Sequence, residues 1–143
     1  MANRSNRLVW FGVVLAFAIP TCANDVIKPG SHWHGSIKLV QIDKGSQKKL
    51  STADCRMVIL KRDKDKFEGE LWCDNDKRGI QLVGTVNVNA VRFTATKKLR
   101  GDSSDVVNNL EFVGRLNMND LKGRYTIPGS DSRYGEIDLK LKE

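Results

Sequence analysis

The feature that most narrows what this chain can fold into is an alternation of apolar and polar residues, repeated in short blocks parted by Asn, Asp, Gly, Ser and Lys. Successive side chains on a strand point to opposite faces, so each block buries one face and wets the other. The alternation predicts eight strands, over residues 33–40, 55–62, 67–73, 80–86, 90–97, 109–116, 120–127 and 134–141. Four of the connections are hairpin-sized, Asp63-Lys64-Asp65-Lys66, Asn87-Val88-Asn89, Asn117-Met118-Asn119 and Pro128-Gly129-Ser130-Asp131, which implies an antiparallel meander. Two longer polar links, Gln41 to Asp54 and Lys98 to Asn108, are expected to be loops, where a lid or recognition segment would sit.

A short phrase recurs on this rhythm: a residue, glycine, a polar residue, an apolar one. It stands at His34-Gly35-Ser36-Ile37, Glu68-Gly69-Glu70-Leu71, Val83-Gly84-Thr85-Val86, Val113-Gly114-Arg115-Leu116, Lys122-Gly123-Arg124-Tyr125 and Tyr134-Gly135-Glu136-Ile137. Each glycine shares the register of the apolar residues, so Gly69, Gly84 and Gly114 are expected to face inward. Glycine packs nothing there, and its repeated use suggests a sheet that coils tightly or accepts a bulky neighbour. The predicted fold is an all-β, eight-stranded antiparallel up-and-down barrel; an open sheet or two-layer sandwich with ordinary bulges is the alternative.

The chain opens with Arg4 and Arg7, an apolar run from Leu8 to Ile19, then Pro20 and Thr21-Cys22-Ala23. Such a run is too short to span a membrane and reads as a secretory signal over residues 1–23. A lead segment over 24–32 and a single barrel domain over 33–143 follow. The expected location is secreted or periplasmic, with a lipid anchor at Cys22 as the alternative. Arg4 and Arg7 leave with the signal, so the 24 basic residues become 22 against 17 acidic ones, a net charge of +5. Such a mildly basic surface without a concentrated stripe does not point to nucleic acid.

Export leaves Cys55 and Cys73 in an oxidising compartment. A three-residue loop from Asp63 to Asp65 sets Cys55 opposite Cys73, Met57 opposite Leu71 and Ile59 opposite Gly69, which predicts a cross-strand disulfide. The same register sets Arg56 against Trp72 on the other face, a cation–π pair.

Catalytic chemistry finds little support. His32 and His34 project to one side, but the sequence identifies no third metal ligand. Asp74-Asn75-Asp76-Lys77-Arg78-Gly79 opens like a calcium loop, yet Arg78 takes a ligand position and Thr85 stands where a glutamate is needed. Asp102-Ser103-Ser104-Asp105 and Ser130-Asp131-Ser132 read as solvated turns. Glu68 and Glu70 share an outward face with nothing enclosed between them. With no nucleophile elbow or phosphate loop, neither an enzyme nor a bound cofactor is expected. The basic runs at turns read as solubility and edge protection, with anionic polysaccharide or lipid headgroups as a further possible partner.

Trp33 at the opening of the first strand, the glycine phrase and eight meandering strands together resemble the lipocalin and avidin group of small secreted barrels, including bacterial lipocalin-like proteins, over about Trp33 to Leu141. Gly30-Ser31-His32-Trp33 is one residue longer than the Gly-X-Trp of lipocalins. The basic residue expected after their last strand falls to Lys140 or Lys142. The resemblance implies a small apolar or amphipathic ligand, or a lipid, within a barrel lined by Trp33, Ile37, Met57, Phe67, Leu71, Phe93, Phe112 and Tyr125. The alternative is a packed interior and an envelope-structural or interaction module. It would meet a protein partner or a second copy through a face around Trp72, with Val58, Leu60, Val83, Val113 and Tyr134.

Overall fold

The computed structural model describes residues 23–101, 110–126, 129 and 131–143. A short 3-10 helix, Ala23–Val26, leads into eight strands: β1 (His32–Asp43), β2 (Ser46–Asp63), β3 (Lys66–Cys73), β4 (Arg78–Asn87), β5 (Ala90–Arg100), β6 (Glu111–Asn117), β7 (Asp120–Thr126) and β8 (Arg133–Lys142). Each strand pairs antiparallel with the next, and β8 returns to β1, closing an up-and-down barrel. No helix among the described residues is long and apolar enough to cross a membrane. The outer wall carries charged side chains such as Lys38, Arg56, Glu68, Arg92, Arg115 and Glu136, where a lipid-facing barrel carries an apolar band.

Inward registers make the core. Trp33, Met57, Phe67, Leu71, Phe93, Phe112, Ile137 and Leu139 are buried in one cluster. The inward glycines make room for rings. A Cβ on Gly84 would overlap the Phe67 ring, and one on Gly114 or Gly123 would overlap the tip of Phe112. Phe112 stacks on Phe93 with centroids 4.3 Å apart and planes 18° apart. The glycines therefore act sterically, letting aromatic rings lie against the wall and fill the lumen.

One end of the barrel, the base, holds the turns β2–β3, β4–β5 and β6–β7. The lead segment closes it: Ile27 is fully buried in the core cluster, and Gly30 N–H donates to the Ile59 carbonyl at 2.8 Å. Arg62 Nη1 donates to the Ile27 carbonyl at 3.1 Å. Trp33 Nε1 reaches Ser31 Oγ at 3.3 Å, so the buried indole keeps a partner.

Two expectations need correction. The link from Gln41 to Asp54 is no loop and no lid: β1 and β2 continue through it and meet at a tight turn, with Lys44 and Gly45 at φ 46° and 81°. Residues Ser46 to Thr52 are exposed on both faces, so no apolar alternation marks them as a strand. The link from Lys98 likewise begins as strand, through Arg100; residues 102–109 lie outside the described residues.

The disulfide register is as expected, Cys55 opposite Cys73 and Arg56 opposite Trp72, but its cause differs. Asp63 pairs with Lys66 around the two-residue turn Lys64-Asp65, and a bulge at Leu60 restores the register by Ile59 opposite Gly69. The two Cα atoms lie 4.2 Å apart and the bond is formed.

Candidate functional site

The eight residues expected to line a ligand cavity divide in two. Trp33, Met57, Phe67, Leu71, Phe93 and Phe112 are buried core, packed on one another; Ile37 and Tyr125 are half-buried toward the end opposite the base. The Tyr125 ring covers Gly135, whose Cβ it would displace. Burial pushes the Tyr125 phenol above its ordinary pKa, with the Arg78 charge pulling weakly the other way. Arg78 takes the strand position opposite Cys73, so its charge overhangs that end of the barrel.

A concavity that alternation does not announce lies on the outer wall, over β2 to β6 near the base. It is a largely apolar groove of about 870 Å³. Leu60 and Val83, 45% and 38% exposed, face it. Leu60 faces outward by alternation, and the bulge leaves it unpaired between Ile59 and Lys61, bending the strand beneath the groove. Phe67, Gly84 and Phe93 form part of the floor, Thr85 and Thr94 line it, and Pro29 of the lead segment borders it. Its rim is charged in both signs, with Lys61, Arg62, Lys66 and Arg92 alongside Asp63, Glu68 and Glu111. Lys61 and Glu68 pair at 3.5 Å. A concave, mostly apolar surface with a few polar groups is the usual form of a small-molecule site, and this volume falls in the usual range. Alternation alone does not disclose it, because the groove arises from a bulge and from sheet coiling.

The expected contact face is divided. Leu60 and Val83 belong to the groove, whereas Trp72 lies nearer the opposite end. Between them runs the row Val58, Glu70, Gln81 and Lys97. Val113 is exposed on β6, and Tyr134 is buried under Arg124, whose Cζ is 4.4 Å from the ring centroid. The Tyr134 hydroxyl has no hydrogen-bond partner among the described residues.

The remaining candidates take structural places. His32 and His34 are exposed on the outer wall, and the described residues hold no group of three side chains suited to a metal. Partial burial first, then Lys142, His32 and Arg56, hold the His34 pKa down, an environment that resists added positive charge. Asp74, Asn75 and Asp76 adopt left-handed φ values of 57°, 53° and 64° in the β3–β4 turn, a conformation Asn and Asp tolerate. That turn delivers Asp76 to Arg56, with Nε–Oδ1 2.9 Å and Nη2–Oδ2 3.1 Å. The bidentate bond holds the Asp76 carboxyl below its ordinary pKa and raises Arg56. Glu70 accepts from Trp72 Nε1 at 2.9 Å, and Glu68 pairs with Lys61 across the strands. A second, smaller groove of about 320 Å³ over β7, β8 and β1 is polar, with Lys38, Lys122 and Arg124 facing Glu136 and Asp138. The segment 1–22, with Cys22, and the Asp102-Ser103-Ser104-Asp105 run lie outside the described residues.

No protein-family model matches this chain, and no curated protein is significantly similar to it.

Proposed function

We propose that this is a non-catalytic binding protein of an oxidising extracytoplasmic compartment, whose barrel is a filled scaffold and whose ligand lies in the groove over β2 to β6. The observation that carries this reading is the pairing of a ring-filled lumen with an apolar groove of about 870 Å³ on the wall outside it. The ligand class is a small amphipathic molecule, its apolar part against Leu60 and Val83 and its polar part among the rim charges. The Cys55–Cys73 disulfide supports the compartment, and the closed eight-strand order is in keeping with the likeness to lipocalins and avidins.

Titration with the fluorescent amphiphile anilinonaphthalene sulfonate tests the reading. Saturable binding that Val83→Glu abolishes and Ile37→Glu leaves intact supports the groove. Binding lost only in the Ile37 variant places the ligand inside the barrel and overturns it.

A second reading rests on a different observation. From Ser46 to Ala53, β2 pairs with β1 on one side and with no strand among the described residues on the other. Such an edge can accept an extended segment of a partner. Lys48 and Lys49 on it, and the register shift opposite Val40, are features that discourage indiscriminate pairing.

A further inference from the structure

The outer wall also carries a second assembly, away from the groove, built by four strands at one level. Arg56 of β2 stands opposite Trp72 of β3, Trp72 opposite Gly79 of β4, and Gly79 opposite Arg100 of β5. Gly79 is buried, and a Cβ there would sit inside the indole. The absence of that side chain lets the Trp72 ring lie down on the sheet. Its N–H is fixed to Glu70 Oε2 at 2.9 Å. The guanidinium carbons of Arg56 and Arg100 lie 5.6 and 5.9 Å from the ring centroid. Asp76 ties both arginines together, taking Arg56 on its carboxylate and Arg100 Nη1 on its main-chain oxygen at 3.3 Å. The ring is held on every side yet only half-buried.

We propose that this platform binds an acidic saccharide. The half-buried indole rests on Gly79 with two guanidinium groups over its ring, and this set suits a pyranose: the C–H face of the sugar packs on the exposed part of the ring, and its substituents meet the guanidinium groups beside it. The sign of the ligand follows from the strands beyond the ring. β4 and β5 carry Arg78, Arg92, Lys97, Lys98 and Arg100 and not one acidic residue. Arg56 is already neutralised by Asp76, whereas Arg100 touches no carboxylate among the described residues. A sugar chain crossing Trp72 toward β5 therefore brings its carboxylates to Arg100 and the adjacent lysines. A protein contact fits less well, because the residues bordering the ring are charged, whereas an interface hot spot is ringed by groups that exclude water.

The test is a titration of the exported form of the protein with trigalacturonate, and with maltotriose as the neutral control, followed by tryptophan fluorescence. Trp33 is fully buried, so a ligand-dependent signal reports Trp72. The expected result is saturable binding of trigalacturonate alone, weakened about tenfold or more by Trp72→Ala and by Arg100→Ala. Gly79→Ala lifts the ring, leaves every charge in place, and is expected to weaken binding comparably; because Gly79 is buried, its thermal melt is compared with that of Arg100→Ala, an exposed change that keeps the fold testable. Absence of trigalacturonate binding overturns the proposal. So does binding that Trp72→Ala leaves intact, which would be attraction to the cationic strands alone. Light scattering that shows a dimer lost in Trp72→Ala also overturns it, in favour of a contact between copies.

Discussion

The base of the barrel and the β1–β2 hairpin at its other end are built from the same secondary structure, yet they obey different rules. At the base every inward position is occupied: Ile27 and Trp33 close the end, and Phe67 and Phe112 lie over glycines. In the hairpin, Ser46 to Thr52 face water on both sides and, among the described residues, pair with β1 alone. Burial determines which side chain the base accepts, and only hydrogen bonding and turn geometry constrain the hairpin. Stability is therefore concentrated at one end, and substitutions should divide accordingly.

The sharpest test is Phe112→Ala, which empties the space between Phe93, Gly114 and Gly123 and is expected to cost about 3–5 kcal/mol in urea unfolding. A loss below about 1 kcal/mol would mean that the lumen is not packed there. The double variant Cys55→Ser with Cys73→Ser frees the β2–β3 hairpin across an 18-residue separation and should lose about 2–4 kcal/mol, measurable equally by melting under reductant. In the opposite direction, Val88 is a β-branched residue at φ 54° in the β4–β5 turn, 69% exposed. Val88→Asn should gain about 1 kcal/mol, since Asn tolerates that conformation. Leu50→Ser, on the hairpin, is expected to stay within about 0.5 kcal/mol. A large loss there would show that the hairpin is covered by something.

The smallest effect is electrostatic. Arg56 lowers the Asp76 pKa in the folded state, so the pair's contribution is complete above the ordinary aspartate range and fades as pH falls through the depressed value. Asp76→Asn should remove that part of the acid limb of a pH–stability curve and leave the neutral range otherwise parallel to the parent. Partial burial and nearby cations depress the His34 pKa, which has the same sign: stability declines as pH falls from the ordinary histidine range.

The contrast between the two ends also explains what could be read from the sequence. Alternation needs a dry face to be visible, so the strand blocks, the inward glycines and the Cys55–Cys73 pairing were legible where the barrel is packed. Over Gln41 to Asp54 both faces are wet, and the same backbone looked like a loop. The groove was hidden for another reason: alternation sets Leu60 and Val83 outward, but the concavity between them depends on the bulge at Leu60 and on the coiling of the sheet. A three-residue loop and a two-residue turn followed by a one-residue bulge set Cys55 opposite the same partner, so the disulfide register is legible in the sequence while the turn that produces it is not. Trp72 was placed correctly on the outer face, but its flatness depends on Gly79 of the neighbouring strand, a pairing that no local pattern announces.

The seam between β1 and β8 has a consequence for how the molecule is made. His32 pairs with Lys142, so the first and last strands can zip together only once nearly the whole chain has been made. A polypeptide emerging from the amino end holds β1 with one edge bare throughout that interval, and contacts between such distant residues form slowly. Premature capture of that edge by another nascent molecule is the hazard, which makes dilution during refolding, or a holding chaperone during synthesis, important to the yield of this barrel alongside its final stability.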